Sequence, residues 1–373
     1  MREKVRSISI VNILVITKRQ YTNKDLIDDR FGRIRELPLE LALKGHNVYG
    51  LCLSYVKKKE KITYDGPVVW HSLNAGPLLM PGLRRFFKRA SQYAQSADVI
   101  WACSDSVYGI IGYMLSAKFS IPLVFDLYDN FEFFLAARLP IVRQLYHRTI
   151  KNCDAVTCAS QPLAELVATY GRTDRAVVLE NAVRHDLFYP MPKYACRTEL
   201  GIPQDCRLIG TAGALDNNRG IKALFEAFEA LKVKIPDLHL ALAGPRDINL
   251  PQGERIHDLG VMPLEKVPLL LNALDIAIIC NRDNLFGRYC FPQKAAEIMA
   301  CDIPLIAARV GSMAALFKDH PRWLFTPDGS RDLADAIEHR LDDRTTGYRI
   351  VTSWSDTSEK LEKTFNKVLA QNR

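Results

Sequence analysis

The sequence NLFGRYCFPQKAAEIMACDIPLIAARVGS, residues 284–312, is the most informative stretch of this chain. It begins with a glycine-containing loop, continues as a predicted helix, KAAEIMA, and then becomes a predicted strand, LIAA. A loop, a helix and a strand within about 30 residues are typical of one α/β unit. Lys294 and Glu297 lie three positions apart, so a helix places both on one face near its N-terminus. This pair indicates either a phosphate and ribose site at that helix end or an ordinary ion pair on a solvated face.

Length and composition bound the class of protein. The chain has 373 residues, which suits two domains better than one, and its 48% hydrophobic and 25% charged residues are ordinary for a globular protein. No apolar run approaches the roughly 18 residues that a membrane span needs. The first apolar run, residues 8–17, contains Asn12 and is followed by Lys18, so we expect a buried first strand there rather than a secretory signal.

The cysteines and the net charge favour a cytoplasmic protein. The nine cysteines include no C-x-x-C pair, which argues against a zinc site or a disulfide framework and makes a reducing compartment the simplest location. The formal net charge of +8 is compatible with nucleic acid, an anionic membrane or phosphorylated substrates. The charge is not gathered into one long basic tract, so we expect no nucleic-acid partner.

Short apolar runs alternate with helix-like segments on both sides of a linker-like, Pro-containing stretch at residues 185–204. This alternation predicts an α/β protein made of two doubly wound, Rossmann-like parallel-sheet domains that face a cleft. We expect an N-terminal domain over residues 1–186 and a C-terminal domain over residues 187–350. The charged amphipathic helix predicted within residues 351–373 either completes the second domain or crosses back to the first.

The segment LVFDLYDNFEFF, residues 123–134, begins as a strand and then becomes acidic. Asp126, Tyr128 and Asp129 lie near the predicted end of that strand, where parallel sheets bind their ligands. These residues are candidates for acid–base chemistry or substrate contact. They fit equally well as helix caps or as partners of Arg138 or Arg143.

In the second half, the segment TAGALDNNRGIKALFEAF places Gly213 and Arg219 between a predicted strand and a predicted helix. A guanidinium beside a helix N-terminus suits a diphosphate, and an arginine there is unfavourable for the helix itself. The stretch matches neither G-x-G-x-x-G nor a P-loop, so the usual nicotinamide and ATP motifs are not indicated. Together with Lys294 and Glu297, it predicts a site for a nucleotide diphosphate.

Residues 82–94, GLRRFFKRASQYA, form a predicted basic helix. Its cations are Arg84, Arg85, Lys88 and Arg89, and its apolar residues include a Phe pair. A basic amphipathic helix of this kind can lie on an anionic membrane. The alternative is a surface helix whose Phe pair packs into the core.

Nearly the whole chain resembles the two-domain GT-B glycosyltransferases, and within them the retaining sugar transferases of family four. The segment FGRYCFPQKAAEIMACDIPLIAA is similar to the family's E-x7-E motif, with Glu297 in the place of the second glutamate, which binds the ribose in the family. The segment ALDNNRG is similar to the family's phosphate clamp, with Arg219 in the place of its lysine. Further segments resemble the family in the same order: SADVIWACS, NCDAVTCASQPLAELVATYG, ENAVRHDLF and IHDLGVMPLEKVPLLLNALDIAI.

Three positions depart from the family pattern. Tyr289 stands in the place of the first glutamate of E-x7-E, and Ala214 in the place of the clamp's usual arginine. Tyr128 stands where the family has a histidine in its catalytic region. These departures fit a subfamily with K-x-x-E in place of the full motif, and they also fit a transferase that has lost activity.

The resemblance implies a metal-independent hexosyltransferase of class EC 2.4, with no cofactor besides its donor substrate. Such an enzyme moves a sugar from a nucleotide diphosphate sugar, with retention of the anomeric configuration, to a saccharide or lipid-linked acceptor in polysaccharide or glycolipid biosynthesis. The implied residues are Tyr128, Asp129, Arg219 and Lys294 for catalysis, Gly213, Arg219, Gly287, Tyr289, Lys294 and Glu297 for the donor, and Asp29, Arg30 and Arg33 for the acceptor.

Two alternatives remain at this point. A catalytically silent GT-B protein would bind a nucleotide sugar or a partner transferase, and a sugar-nucleotide epimerase would share the fold. For all three we expect a cytoplasmic location, and for the transferase we add peripheral contact with the anionic inner face of the membrane.

Overall fold

The computed structural model describes residues 10–21, 24–77, 79–349 and 351–372. The chain forms two compact units, of which the first comprises Met1–Glu180 with Trp354–Arg373 and the second Asn181–Ser353. Each unit is built on its own β-sheet. The sequence placed a boundary between residues 186 and 187, whereas the chain leaves the first unit at Glu180.

Within the described residues, the first unit contains ten strands, of which eight form one sheet and the short strands β2 and β3 form a separate pair. Its strands are β1 (Asn12–Lys18), β2 (Gln20–Tyr21), β3 (Lys24–Asp25), β4 (Asn47–Ser54), β5 (Lys61–Asp65), β6 (Val68–Asn74), β7 (Val99–Ala102), β8 (Leu123–Leu127), β9 (Ala155–Cys158) and β10 (Val177–Val178). Its helices are α1 (Arg33–Leu43), α2 (Leu79–Ala94), α3 (Ser106–Phe119), α4 (Pro140–Asn152) and α5 (Gln161–Ala168), with 3-10 helices η1 (Phe131–Phe133) and η2 (Leu135–Arg138). The strand order is β10-β9-β8-β7-β1-β4-β6-β5, and β5 alone pairs antiparallel in it.

Strand β1 lies at the centre of this sheet, where both faces are covered. Its residues 13–16 are at most 1% exposed, as expected for a central parallel strand. The polar segment after β1 contains a buried arginine. Arg19 lies 2.9 Å from Asp25 and 2.8 Å from Asp28, and the short strands β2 and β3 pair beside it. The described residues on both sides of positions 22 and 23 are therefore joined to each other by ion pairs and strand pairing.

Helices α2, α3 and α4 lie side by side on one face of the first sheet. Phe86 of α2 meets Tyr108 of α3 edge-on, with ring centroids 5.5 Å apart. Helices α3 and α4 both pack on Phe125 of β8: a Cβ at Gly109 would lie 2.2 Å from its ring, and Tyr146 meets it at 6.0 Å. Helix α1 connects β1 to β4, and this connection crosses the sheet in the direction opposite to the connections that contain α2 and α3. Because such connections are right-handed, α1 lies on the other face of the sheet.

The second unit contains a six-stranded parallel sheet. Its strands are β11 (Arg207–Ala212), β12 (Leu238–Ala243), β13 (Ile256–Asp258), β14 (Ile276–Ile279), β15 (Leu305–Ala308) and β16 (Leu324–Phe325). Its helices are α6 (Lys193–Leu200), α7 (Lys222–Lys234), α8 (Val267–Ala273), α9 (Gln293–Ala300), α10 (Gly311–Leu316) and α11 (Ser330–Asp342), with 3-10 helices η3 (Asn217–Arg219), η4 (Leu264–Lys266) and η5 (Pro321–Trp323). The strand order is β13-β12-β11-β14-β15-β16.

This second sheet is buried on both faces. Alternate residues of β12 enter two different hydrophobic clusters, Leu240 and Leu242 on one side and Ala241 and Ala243 on the other. The doubly wound arrangement predicted from the alternation of strands and helices is confirmed for this unit.

The prediction of a linker over all of residues 185–204 was wrong, because its second half folds as helix α6. Arg197 of α6 is buried and donates from Nη2 to Asp275 at 2.8 Å. The same carboxylate lies 2.6 Å from Lys193 and accepts a hydrogen bond from the backbone of Leu208 at 2.7 Å. Helix α6 is thereby fixed to the start of β11, a contact between residues far apart in the sequence.

The last helix, α12 (Trp354–Gln371), returns to the first unit and packs against α1. Lys44, just after α1, donates to the carbonyl oxygen of Ser355 at 3.3 Å and lies 3.8 Å from Glu362. Leu361 and Phe365 are buried on the inner side of α12. Among the described residues, none of the helices is both long enough and apolar enough to cross a membrane.

Candidate functional site

Strand β11 lies where the strand order of the second sheet reverses, with β12 on one side and β14 on the other. Open parallel sheets bind ligands beyond the carboxyl ends of their strands at such a point. Gly213 follows β11 with a φ of 119°, and Gly244 follows β12 with a φ of 138°. A Cβ at Gly244 would lie 1.9 Å from the carbonyl oxygen of Gly213. Both the backbone conformation and this close approach require glycine.

Lys294 reaches this strand end from helix α9. Its Nζ donates to Thr211 Oγ1 at 3.4 Å, and a Cβ at Gly213 would lie only 3.2 Å from the same Nζ. The side chain is half-buried, and burial together with the positive charge of Arg219 lowers the pKa of Lys294 to about 8. An ammonium held beside a bare glycine backbone is well placed to meet an anion.

Glu297 lies one helical turn further along α9. Burial raises its pKa to about 7, against the opposing effect of the Lys294 charge. The sequence left open an ordinary ion pair on a solvated face, but both side chains are half-buried and both pKa values are shifted toward the neutral forms. Such an environment is more typical of a binding site than of a surface ion pair.

Arg219 approaches from the other side of the β11 end. It ends the 3-10 helix η3, whose cap is Asp216: the Arg219 backbone N–H donates to Asp216 Oδ1 at 2.9 Å. Its guanidinium lies over the ring of Phe286, 4.4 Å from the centroid, a cation–π contact that fixes its direction. Gly220 then turns the chain with a φ of 70° into helix α7.

The loop between β14 and α9 is held in one conformation by short-range bonds. Asn284 Oδ1 accepts hydrogen bonds from the backbone of Phe286 at 3.0 Å and of Gly287 at 2.8 Å. Gly287 is buried, and a Cβ there would lie 2.0 Å from the carbonyl oxygen of Arg282. Tyr289 is half-buried in the following turn. The loop therefore presents Gly287 and Tyr289 just before the N-terminus of α9.

The N-terminus of α9 is tied to the start of the second unit. Gln293 Nε2 donates to the carbonyl oxygen of Ala182 at 2.6 Å, and Asn181 Nδ2 donates to that of Phe291 at 2.9 Å. The first N–H groups of a helix have no partner inside the helix and favour anions. These two side chains fix the position of that helix end relative to the end of β11.

The second unit thus gathers the predicted donor residues at one edge of its sheet. Lys294 and Gly213 are in contact, and the positive charge of Arg219 helps to lower the pKa of Lys294. Two cations and a helix N-terminus suit a diphosphate, and the Glu297 carboxylate can accept hydrogen bonds from hydroxyl groups. Sequence reasoning missed Thr211, Phe286 and Gln293, because their partners are distant in sequence and no local pattern marks them.

In the first unit, the predicted catalytic residues follow strand β8. Tyr128 is 7% exposed and donates from its hydroxyl to the carbonyl oxygen of Ser104 at 3.0 Å. Asp129 is 4% exposed and accepts a hydrogen bond from the Asn130 backbone at 2.8 Å. Burial lowers the pKa of Lys18, at the end of β1, and the charges of Asp105 and Asp129 oppose that shift. These groups share the carboxyl edge of the sheet, and their catalytic role stays a prediction.

The three predicted acceptor residues have different environments. Arg33 is fully buried: its Nε and Nη2 donate to Asp126 at 2.9 and 2.7 Å, and its Nη1 donates to the carbonyl oxygen of Leu179 at 2.6 Å. Asp29 accepts a hydrogen bond from the backbone of Asp25 at 2.6 Å, and Arg30 is exposed. Arg33 has a clear structural role in joining α1 to β8, and acceptor contact by any of the three stays a prediction.

Comparison with known proteins places the chain in a family. A model described as Glycosyltransferase Family 4 matches residues 33–187, and one described as Glycosyl transferases group 1 matches residues 206–343. The chain belongs to the family 4 glycosyltransferases. The resemblance stated from the sequence is confirmed. The second match lies within the second unit, and the first lies in the first unit except for its last seven residues.

Individual relatives are distant. D-inositol 3-phosphate glycosyltransferase of Mycobacteroides abscessus is 25% identical over 56% of this chain and 52% of its own length. The chain thus spans about half the length of that curated relative, whereas the protein of the same name from Pseudarthrobacter chlorophenolicus is 25% identical over 84% of this chain and 82% of its own. HepE of Anabaena, solved in complex with UDP-glucose, superposes with a TM-score of 0.67 at 20% identity, over 97% of this chain and 98% of that one. This likeness confirms the predicted fold class, two Rossmann-like domains of the GT-B type.

Proposed function

We propose that this member of the family transfers a sugar from a nucleotide diphosphate sugar to a saccharide or lipid-linked acceptor, with retention of the anomeric configuration. The observation that carries the proposal is the contact of Lys294 with the glycine end of β11, within the electrostatic reach of Arg219. Two cations beside a helix N-terminus favour a ligand with two or more negative charges, and the nearby Asp216 carboxylate is already engaged by the backbone N–H of Arg219.

In the proposed reaction, the bond between the sugar's anomeric carbon and the terminal phosphate oxygen breaks, and negative charge develops on the leaving diphosphate. The acceptor hydroxyl oxygen forms the new bond to the same carbon on the same face, and its proton passes to the leaving phosphate. Lys294, Arg219 and the first N–H groups of α9 would stabilise that charge. Glu297 would accept hydrogen bonds from the ribose hydroxyls, and Gly213 and Gly287 would let the diphosphate approach the backbone. No metal ion is needed in this scheme.

In this proposal, the acceptor binds at the carboxyl edge of the first sheet. Tyr128 and Asp129 would contact the attacking hydroxyl, and Asp29, Arg30 and Arg33 would contribute the surrounding surface or its support. The Anabaena structure with UDP-glucose makes UDP-sugars the first donors to test. A polysaccharide or glycolipid pathway in the cytoplasm, with peripheral contact at the inner face of the membrane through helix α2, fits this acceptor class.

The test is transfer from a panel of radiolabelled nucleotide sugars into a saccharide and lipid extract. We expect transfer by the natural chain and a loss of about 100-fold or more in Arg219→Met, the usual effect of removing one group that stabilises developing charge. Arg331, exposed on α11, supplies the matched control Arg331→Met, which should keep full activity. Equal rates in both variants would contradict the proposed role of Arg219.

Tyr289 supports a second candidate, a silent GT-B protein that binds a nucleotide sugar without turnover. It stands in the place of the first motif glutamate, close to the N-terminus of α9. Calorimetry with the same nucleotide sugars separates the two candidates. Tight binding with neither transfer nor hydrolysis in any extract favours the silent protein, and turnover with any donor favours the enzyme.

A further inference from the structure

The face of the first unit formed by helices α2, α3 and α4 has an unusual charge composition. These three helices contain eight lysines and arginines and no aspartate or glutamate. The cations are Arg84, Arg85, Lys88, Arg89, Lys118, Arg143, Arg148 and Lys151. The opposite face carries acidic side chains within its helices, for example Glu40 on α1 and Glu359 on α12. A large share of the net positive charge is thus concentrated on one side of this unit.

The same face exposes large apolar side chains. Leu135 is 80% exposed, Ile141 74% and Leu139 60%, and all three lie between the start of η2 and the first turn of α4. Met80 at the start of α2 and Met114 on α3 are also exposed, at 62% and 52%. Single exposed apolar residues are common, but a group of them within one cationic surface marks an interaction site.

The few acidic residues near this face are at its margins and are engaged. Glu60 lies 2.6 Å from Arg85, and Glu132 lies 2.9 Å from Arg143. Glu165 lies on the next helix, α5. Beside α2 the surface forms a pocket of about 310 Å³ whose lining includes the cations Arg85, Lys88 and Arg89 together with Glu60, the partner of Arg85.

We propose that the α2–α3–α4 face docks on an anionic lipid bilayer, with the segment around Leu135, Leu139 and Ile141 entering the headgroup region. Cations and exposed aliphatic side chains on one surface match a bilayer, which offers negative headgroups above an apolar layer. A surface that binds nucleic acid needs cations but has no use for the exposed aliphatic side chains. The proposal extends the membrane contact given above from one helix to a three-helix face, and it does not depend on sugar transfer.

The experiment is flotation of the full chain with vesicles of phosphatidylcholine alone or mixed with one third phosphatidylglycerol. The face variant is Arg84→Glu/Lys88→Glu/Arg148→Glu, and the control is Lys360→Glu/Lys363→Glu/Lys367→Glu on α12. All six residues are exposed, and both triples change the net charge equally.

We expect the natural chain to bind the mixed vesicles, the α12 triple to keep that binding, and the face triple to lose it by about ten-fold or more, from the attraction that each surface cation contributes. A Leu135→Trp variant should show a blue-shifted emission with the mixed vesicles, against the four buried tryptophans of the chain. Equal losses in the two triples, or equal binding to phosphatidylcholine alone, would overturn the proposal. Unchanged emission at position 135 would overturn the insertion of that segment.

Vesicle binding needs neither donor nor acceptor, so a chain without transferase activity still tests this surface. Conversely, a face triple that no longer floats but transfers sugar to a soluble saccharide would leave the proposed function intact.

Discussion

Replacing Lys294 by methionine should stabilise the protein and weaken its nucleotide binding at the same time. Burial and the charge of Arg219 lower the pKa of Lys294 from its ordinary 10.5 to about 8. Between these two values the unfolded chain binds more protons than the folded one, so the stability of the folded protein rises with pH across that window. Below pH 8 the folded protein carries this ammonium in an unfavourable environment.

The size of the effect follows from the same two values. At about 1.36 kcal/mol per pH unit, the difference between 10.5 and 8 corresponds to about 3 kcal/mol. Lys294 is only half-buried, and solvent screening reduces this to about 1–2 kcal/mol. Since methionine keeps the length and apolar stem, we expect Lys294→Met to raise the melting temperature by about 2–8 °C, at about 2–4 °C per kcal/mol.

The loss of binding is larger than the gain in stability. A charge-assisted hydrogen bond contributes about 1.5–3 kcal/mol, so the affinity for a nucleoside diphosphate should fall by about 10- to 150-fold. Both quantities are measured on one preparation, by calorimetric melting at pH 7 without ligand and by titration with UDP.

The matched control is Lys318→Met, which removes an exposed lysine of the same unit and should change neither quantity. A Lys294→Met protein that melts at a lower temperature would refute the reasoning, because the ammonium would then be a structural partner. Unchanged UDP affinity would refute the anion-binding role.

Three further predictions concern other buried groups. Burial raises the pKa of Glu297 to about 7, so the affinity for UDP should fall several-fold as the pH drops one unit below that value. A Glu297→Gln variant, titrated by calorimetry, should show no such pH dependence. The same fall in both proteins would exclude a ribose contact through the carboxylate. Arg33→Met leaves the Asp126 carboxylate buried without its cation and should lower the free energy of unfolding, measured in urea, by about 3–5 kcal/mol. The double variant Arg33→Met/Asp126→Leu should lose less, and equal losses would contradict the ion pair. Gly311 has a φ of 53°, and a Cβ there would lie 2.6 Å from the carbonyl oxygen of Gly287. The variant Gly311→Ala should therefore reduce both the melting temperature and the affinity for UDP. An unchanged affinity would show that this turn does not support the donor site.

The sequence predicted the two-unit α/β fold because strand and helix periodicities are local signals. It also placed Lys294 and Glu297 on one helical face and Arg219 at a helix start, and the structure brings Lys294 to the end of β11. What the sequence could not indicate is which charged residues are buried. Arg33 and Asp126 form an internal ion pair across 93 positions, and Arg197 holds Asp275 across 78, so neither pair leaves a local pattern.

Two polar segments show a related limit, because their composition does not reveal a buried arginine. Arg19 looked like the charged flank of a strand, yet its guanidinium is 1% exposed and organises the residues that follow it. Helix α6 was hidden by the prolines before it, and only its contact with Asp275 shows why it forms. Polar composition predicted solvent exposure in both cases, whereas a buried arginine pairs with a carboxylate in each. Arg19 pairs with Asp25, six positions away, and Arg197 pairs with Asp275, 78 positions away.

Helix α12 has a consequence for how the protein is made. The first unit needs this helix to cover α1, yet the ribosome supplies it only after all of Asn181–Ser353 has been synthesised. Until then, the surface that later receives Leu361 and Phe365 is open, and a nascent chain is exposed to aggregation there. Prior folding of the second unit brings residues 180 and 354 toward each other and reduces the entropy lost in closing so long a loop. In a refolding experiment, the second unit should therefore become protected from hydrogen exchange before α1 does.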